Sequence, residues 1–145
     1  MGSLANAKIP AIANAIEETS NRSIHVFADW HTPGPNADEY WRAHEIARGF
    51  SYREALYRPA ATNAFEFDLR NMNSSHGAVL AYPAGKSAHM ELGYMAGAGK
   101  PTVILLESAN WQARPDLMLR LAGLVTDSME ECVTYLLKEF ERRLT

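Results

Sequence analysis

Ala78-Val-Leu-Ala-Tyr-Pro-Ala-Gly-Lys-Ser-Ala-His-Met-Glu-Leu-Gly-Tyr-Met-Ala-Gly-Ala-Gly-Lys-Pro-Thr-Val-Ile-Leu-Leu106 decides how this chain folds. Ala78 to Tyr82 is a short apolar run bounded by Gly77 and Pro83, which predicts a buried strand. Pro83, Gly85 and Ser87 punctuate a turn. Ala88, Leu92, Met95, Ala96 and Gly99 then recur at helical spacing, and Gly99 with Pro101 stops the helix. Val103 to Leu106 is a second continuous apolar run. Strand, crossover helix and strand make a parallel unit, so the fold class is α/β with a doubly wound parallel sheet. Ligands of such sheets sit beyond the carboxyl ends of the strands. Gly85, Lys86, Ser87, His89 and Glu91 fall there.

Outward from this unit, the 145 residues fit one domain spanning 1–145. A net charge of -3 supplies no basic field, which argues against long nucleic acid and leaves a single nucleotide open. One cysteine, Cys132, forbids an internal disulfide and suits a reducing, cytoplasmic location. No apolar run approaches a membrane span, and no signal peptide is recognisable.

Before the central unit, Ile9, Ile12, Ala13 and Ile16 form the stripe of a first helix, and Asn21-Arg22 a turn. Ser23 to Phe27 is expected to be a strand running into Ala28-Asp29-Trp30-His31. His31-Thr-Pro-Gly-Pro-Asn36 is a loop by its prolines and glycine, placed as a lid. Asn36 or Asp38 could cap a helix carrying Tyr40, Trp41, His44, Ile46 and Ala47. Ser51 and Glu54 fit a capping box, and Pro59 suits the first position of a helix containing Phe67, Asp68 and Met72. After Leu106, a loop holding Trp111 leads to a short helix opened by Pro115. A brief edge strand at Leu124-Val-Thr follows, then a final amphipathic helix capped by Ser128.

Ser87 and Glu91 are four apart and share a helix face. At Ser87 the free N–H groups of a helix start favour an anion such as a 5′-phosphate. Glu91, one turn deeper between Met90 and Leu92, could attack an anomeric carbon or hold a sugar hydroxyl. The structural alternative is a capping serine and a solvated glutamate. Asp68, beside Phe65 and Phe67, either meets a base or is a surface aspartate. Trp30 either stacks on a base, with Asp29 orienting the sugar, or belongs to the core. His89 and His76 are packing or solvent-facing more readily than ligands. No spacing suits a metal, and Gly85-Lys-Ser lacks the P-loop pattern, so neither metal nor cofactor is expected.

Phe67-Asp-Leu-Arg-Asn-Met72 followed by Gly85-Lys-Ser-Ala-His-Met-Glu-Leu-Gly-Tyr94 resembles the nucleoside 2-deoxyribosyltransferase-like superfamily, which includes nucleoside 5′-monophosphate N-glycosidases. The resemblance implies a flavodoxin-like five-stranded parallel sheet, assembled as homodimers or larger homo-oligomers. It implies Glu91 as nucleophile, Asp68 as the base-side acid and Ser87 as a phosphate or sugar contact. The chain departs from the pattern in three places. It has one more residue between Ser87 and Glu91, and Ala84 stands where an acid is usual. The family's first strand, which runs into a Gly-Ser turn, has no counterpart ahead of Gly2-Ser3. The expected sheet therefore lacks its first strand, with a gap or a borrowed strand in its place. The expected function is cleavage or transfer at the N-glycosidic bond of a nucleoside or nucleotide, with non-catalytic nucleotide binding as the alternative.

Overall fold

The computed structural model describes residues 1–2, 6–106 and 117–145. Three strands, β1 (Ala78–Ala81), β2 (Thr102–Leu105) and β3 (Leu124–Thr126), form a parallel sheet in that order. Leu80 stands opposite Ile104, and Ile104 opposite Val125. The helices are α1 (Ile9–Thr19), α2 (Ala37–Ala47), α3 (Tyr52–Ala55), α4 (Pro59–Ser74), α5 (Lys86–Gly97) and α6 (Met129–Leu144).

Alternation along the strands builds two cores. Leu80 and Ile104 point to one face, where Ala88, Leu92 and Met95 of α5 cover them. Val103 and Leu105 point to the other, where Cys132 and Leu136 of α6 cover them, with Ile12 of α1 packed alongside. A strand buried on both faces must be apolar throughout. Thr102, the one polar residue of β2, is buried with its hydroxyl accepting the Gly123 N–H at 3.2 Å.

The ends of the elements follow from local chemistry. Pro59 opens α4, and Ser51 with Glu54 closes a complete capping box on α3. Asn21 and Arg22 turn the chain at φ 49° and 59°. Gly99 ends α5 at φ 73°, where a side chain would be strained. The C-terminal carbonyls of α4 are capped by a cation from elsewhere: Lys100 Nζ donates to Met72, Asn73 and Ser75 carbonyls at 2.8, 2.8 and 2.7 Å. Tyr94 Oη adds a bond to Asn73 Oδ1 at 2.6 Å.

One expectation is corrected. Residues 23–27 are not a strand. The Ile24 N–H goes to Ser20 Oγ and the Val26 N–H to Glu17 Oε1, so this apolar segment is tied to the end of α1 rather than to a neighbouring strand. In α2 the buried residue is Glu45, 2% exposed, whereas Ile46 is 64% exposed. Glu45 pairs with Arg58 at 3.1 Å, and Arg58 lies over the Phe50 ring at 3.6 Å. Asn36 occupies the cap position of α2 without a side-chain capping bond. The expected Trp111 loop and Pro115 lie outside the described residues; Leu117–Leu121 is a 3-10 turn.

The outer edge of β1 is met by Met1. Its nitrogen donates to the Val79 carbonyl at 2.6 Å, and its carbonyl accepts the Ala81 N–H at 2.9 Å. That pair of bonds is one rung of a parallel ladder, opposite Leu80.

At the other end of β1, Gly77 is held where a Cβ would lie 2.8 Å from the Pro101 carbonyl oxygen and 3.1 Å from the Phe140 ring. The obstruction on one side is backbone and cannot swing away. Gly77→Ala is expected to lower stability by about 1–3 kcal/mol in urea unfolding; an unchanged midpoint would contradict this packing.

Candidate functional site

A cavity of about 1050 Å³ opens beside β1, between α4, α5 and residues 24–38. Its upper part lies at the carboxyl end of β1. Glu91 lines it from α5 and Asp68 from α4, together with Ser87, Gly85 and Trp30. The crossover places Glu91 there. α5 must begin where β1 ends, and Ala88, Leu92 and Met95 are buried against the sheet, so Ser87 and Glu91 fall on the flank of that stripe. Asp68 sits on α4 one turn before Met72, whose carbonyl is held by Lys100.

The electrostatics identify the two carboxyls as neighbours. Burial raises the Glu91 carboxyl above its ordinary value near 4.5, and the negative charge of Asp68 raises it further. Burial raises Asp68 as well. The Met1 amino group acts on Glu91 in the opposite sense. That group is buried although the residue as a whole is only half-buried, and burial pushes it down from 8.0 to about 6. A second negative charge in a partly dry cavity is disfavoured, so Glu91 keeps its proton to higher pH than it would beside a neutral Asp68. Such a pair can offer one acid and one nucleophile or base at the same time.

The other predicted site residues divide. Ser87 is exposed in the first turn of α5, and the cap position is Gly85, which has no side chain to satisfy the free N–H groups. Trp30 lines the cavity and packs edge-on to His31 at 5.6 Å. Asp29 is exposed at the start of a 3-10 turn and is not among the lining residues. His89 also lies outside the lining. Its Nδ1 is 2.8 Å from the Gly85 carbonyl oxygen and its ring is edge-on to Tyr82, so it braces the turn before α5. His76 stacks edge-on against Phe140.

Sequence reasoning missed Asp38 and the Met1 amino group, both at this cavity. Asp38 was legible only as a cap, since nothing local tells that α2 turns its first residues toward β1. Nothing in a sequence indicates that an amino group will be buried. Among the described residues no group of three or more His, Cys, Asp or Glu is placed to hold a metal ion, and no helix is long and apolar enough to cross a membrane.

Glu91 has a folded-state value above its unfolded one, so the folded chain holds that proton to higher pH. Its contribution is present below about 4.5 and is lost as pH rises through the raised value. The Met1 amine has the opposite sign: stability rises with pH between about 6 and 8.0. Urea unfolding across these windows is expected to show Glu91→Gln without the loss of stability that the parent shows as pH rises above about 4.5. Asp68→Asn should lower the Glu91 value in a carbon-detected NMR titration. Superimposable profiles would mean the two carboxyls do not share this cavity.

Comparison with protein-family models, with curated proteins and with solved structures found no match.

Proposed function

We propose that this chain cleaves or transfers the N-glycosidic bond of a nucleoside or nucleotide. The observation behind this reading is the pairing of Glu91 with Asp68, from two helices, in one cavity at the carboxyl end of a parallel strand. The parallel open sheet with helices on both faces is compatible with the flavodoxin-like architecture of the nucleoside 2-deoxyribosyltransferase-like superfamily, in a version lacking a strand beside β1.

In the first step the ionised Glu91 attacks C1′. The bond from C1′ to the base nitrogen breaks, and its electron pair goes to the base, which takes the proton held by Asp68. Glu91 is then esterified to the sugar. Water attacks C1′, Asp68 accepts its proton, and Glu91 is released; a second base in place of water gives transfer. This step requires the proton on Asp68 and the charge on Glu91. Trp30 offers a face for the base. The uncapped N–H groups at Ser87 suit a 5′-phosphate or a sugar hydroxyl.

The second reading is a nucleotide-binding module that does not turn over, favoured by Ala84, which leaves the turn before α5 without an acid. Homo-oligomeric assembly is part of either reading.

Incubation with nucleosides and nucleoside 5′-monophosphates, with free base read by chromatography, separates them. Base release should be abolished in Glu91→Gln and reduced about 10²–10⁴-fold in Asp68→Asn. Release that survives Glu91→Gln removes the nucleophile. Calorimetric binding with no base released selects the module.

A further inference from the structure

The cavity is walled by aromatic rings and carboxyls together. Phe27, Trp30 and Phe65 line it with Asp38, Asp68 and Glu91. Among the described lining residues there is no lysine, arginine or histidine. The Met1 amine also lines it, but burial pushes that group down to about 6, so it is mostly uncharged near neutral pH. Among the described residues no three acids are placed to hold a metal ion, so the carboxyls are dispersed around the cavity rather than gathered on one point. Dispersed negative charge beside aromatic faces suits an extended organic cation. The ring quadrupole attracts positive charge, and a partly dry site strengthens its attraction to a carboxylate.

The carboxyl pair constrains the departing base in the same sense. Expulsion of a neutral base requires the proton on Asp68 and the charge on Glu91. Burial and the Asp68 charge both raise Glu91, whereas burial alone raises Asp68, from an ordinary value of 3.8 against 4.5. A proton shared between them therefore rests on Glu91 first, the reverse of what a neutral base needs. A base that already carries a positive charge needs no proton. We infer that this cavity takes nucleosides whose base is a cation, such as a pyridinium joined to the sugar through its ring nitrogen. The inference rests on the glycosidic reading and names the substrate class for it. The Glu91 carboxylate attacks C1′, the C1′–N bond breaks, and its electron pair returns to the ring nitrogen, whose positive charge disappears. One negative and one positive charge enter the step, a neutral ester and a neutral base leave it, and no proton moves. A partly dry cavity, where ions are poorly solvated, helps a step that neutralises opposite charges. The bound cation also offsets the charge of Asp68, which favours the ionised Glu91 that the attack needs.

The test has a binding arm and a turnover arm, both on the full chain. In the first, 1-methylnicotinamide, a pyridinium cation with no glycosidic bond, is titrated calorimetrically against neutral nicotinamide. The cation is expected to bind about tenfold more tightly or better, and Asp38→Asn to weaken it about threefold. In the second, N-ribosylnicotinamide and inosine are incubated with the parent, Glu91→Gln and Asp68→Asn, and first-turnover base release is read by chromatography. Glu91→Gln should abolish release from both. The loss caused by Asp68→Asn should be about tenfold or more smaller with the cationic base than with hypoxanthine, since only the neutral base takes a proton. Release from N-ribosylnicotinamide alone supports the proposal outright. Equal or weaker binding of the cation, release from inosine alone, or an equal loss on both substrates in Asp68→Asn overturns it. With no base released from either nucleoside the glycosidic reading falls, and the binding arm alone decides whether the cavity takes a cationic base.

Discussion

The parallel pairing of β1 with β2 is the constraint from which the rest of this structure follows. Two parallel neighbours cannot be joined by a tight turn; the chain must cross over, and α5 is that crossover. Once α5 lies on the Leu80–Ile104 face, β2 needs a cover for Val103 and Leu105, and α6 supplies it. β2 is thus buried along its whole length. The start of α5 is forced to the carboxyl end of β1, and with it Gly85, Ser87 and Glu91.

The cavity exists because the other side of β1 is not covered in the same way. α4 is fastened at its C-terminal end, where Lys100 holds three carbonyls and Tyr94 holds Asn73. Beside β1, among the described residues, there is a rung from Met1 and a cavity bounded by α4 and residues 24–28. Desolvation there raises both Asp68 and Glu91. The incomplete sheet edge and the perturbed carboxyl pair are therefore two consequences of one packing arrangement. The buried Met1 amino group lies between them and moderates the charge on Glu91.

Local signals were read well where the chemistry is local. The Ser51–Glu54 capping box, Pro59 at the start of α4, the turn at Asn21-Arg22 and the glycine stop at Gly99 each depend on residues within a few positions of one another. The reading failed where a distant partner decides. Ile24 to Phe27 has the composition of a strand, but strand formation needs a neighbour, and α1 takes its N–H groups instead. In α2 the apolar Ile46 was legible but the inward residue was not: Glu45 goes inside, because Arg58, from the link between α3 and α4, comes around to pair with it and lies over the Phe50 ring. His89 was grouped with Ser87 and Glu91 by proximity, although its ring folds back on Gly85 and Tyr82.

By itself the sequence determined the α/β class, the strand–helix–strand unit and the position of Ser87 and Glu91 at the head of a crossover helix. Those features depend on the period of apolar residues and on Gly and Pro at the ends of elements, which act within a single segment. Tertiary structure alone decided that the Met1 amine is buried at the cavity of Glu91 and Asp68, and that Glu45 rather than Ile46 faces inward from α2. Each of these depends on which segments far apart in the chain become neighbours, and on how much water their packing leaves behind.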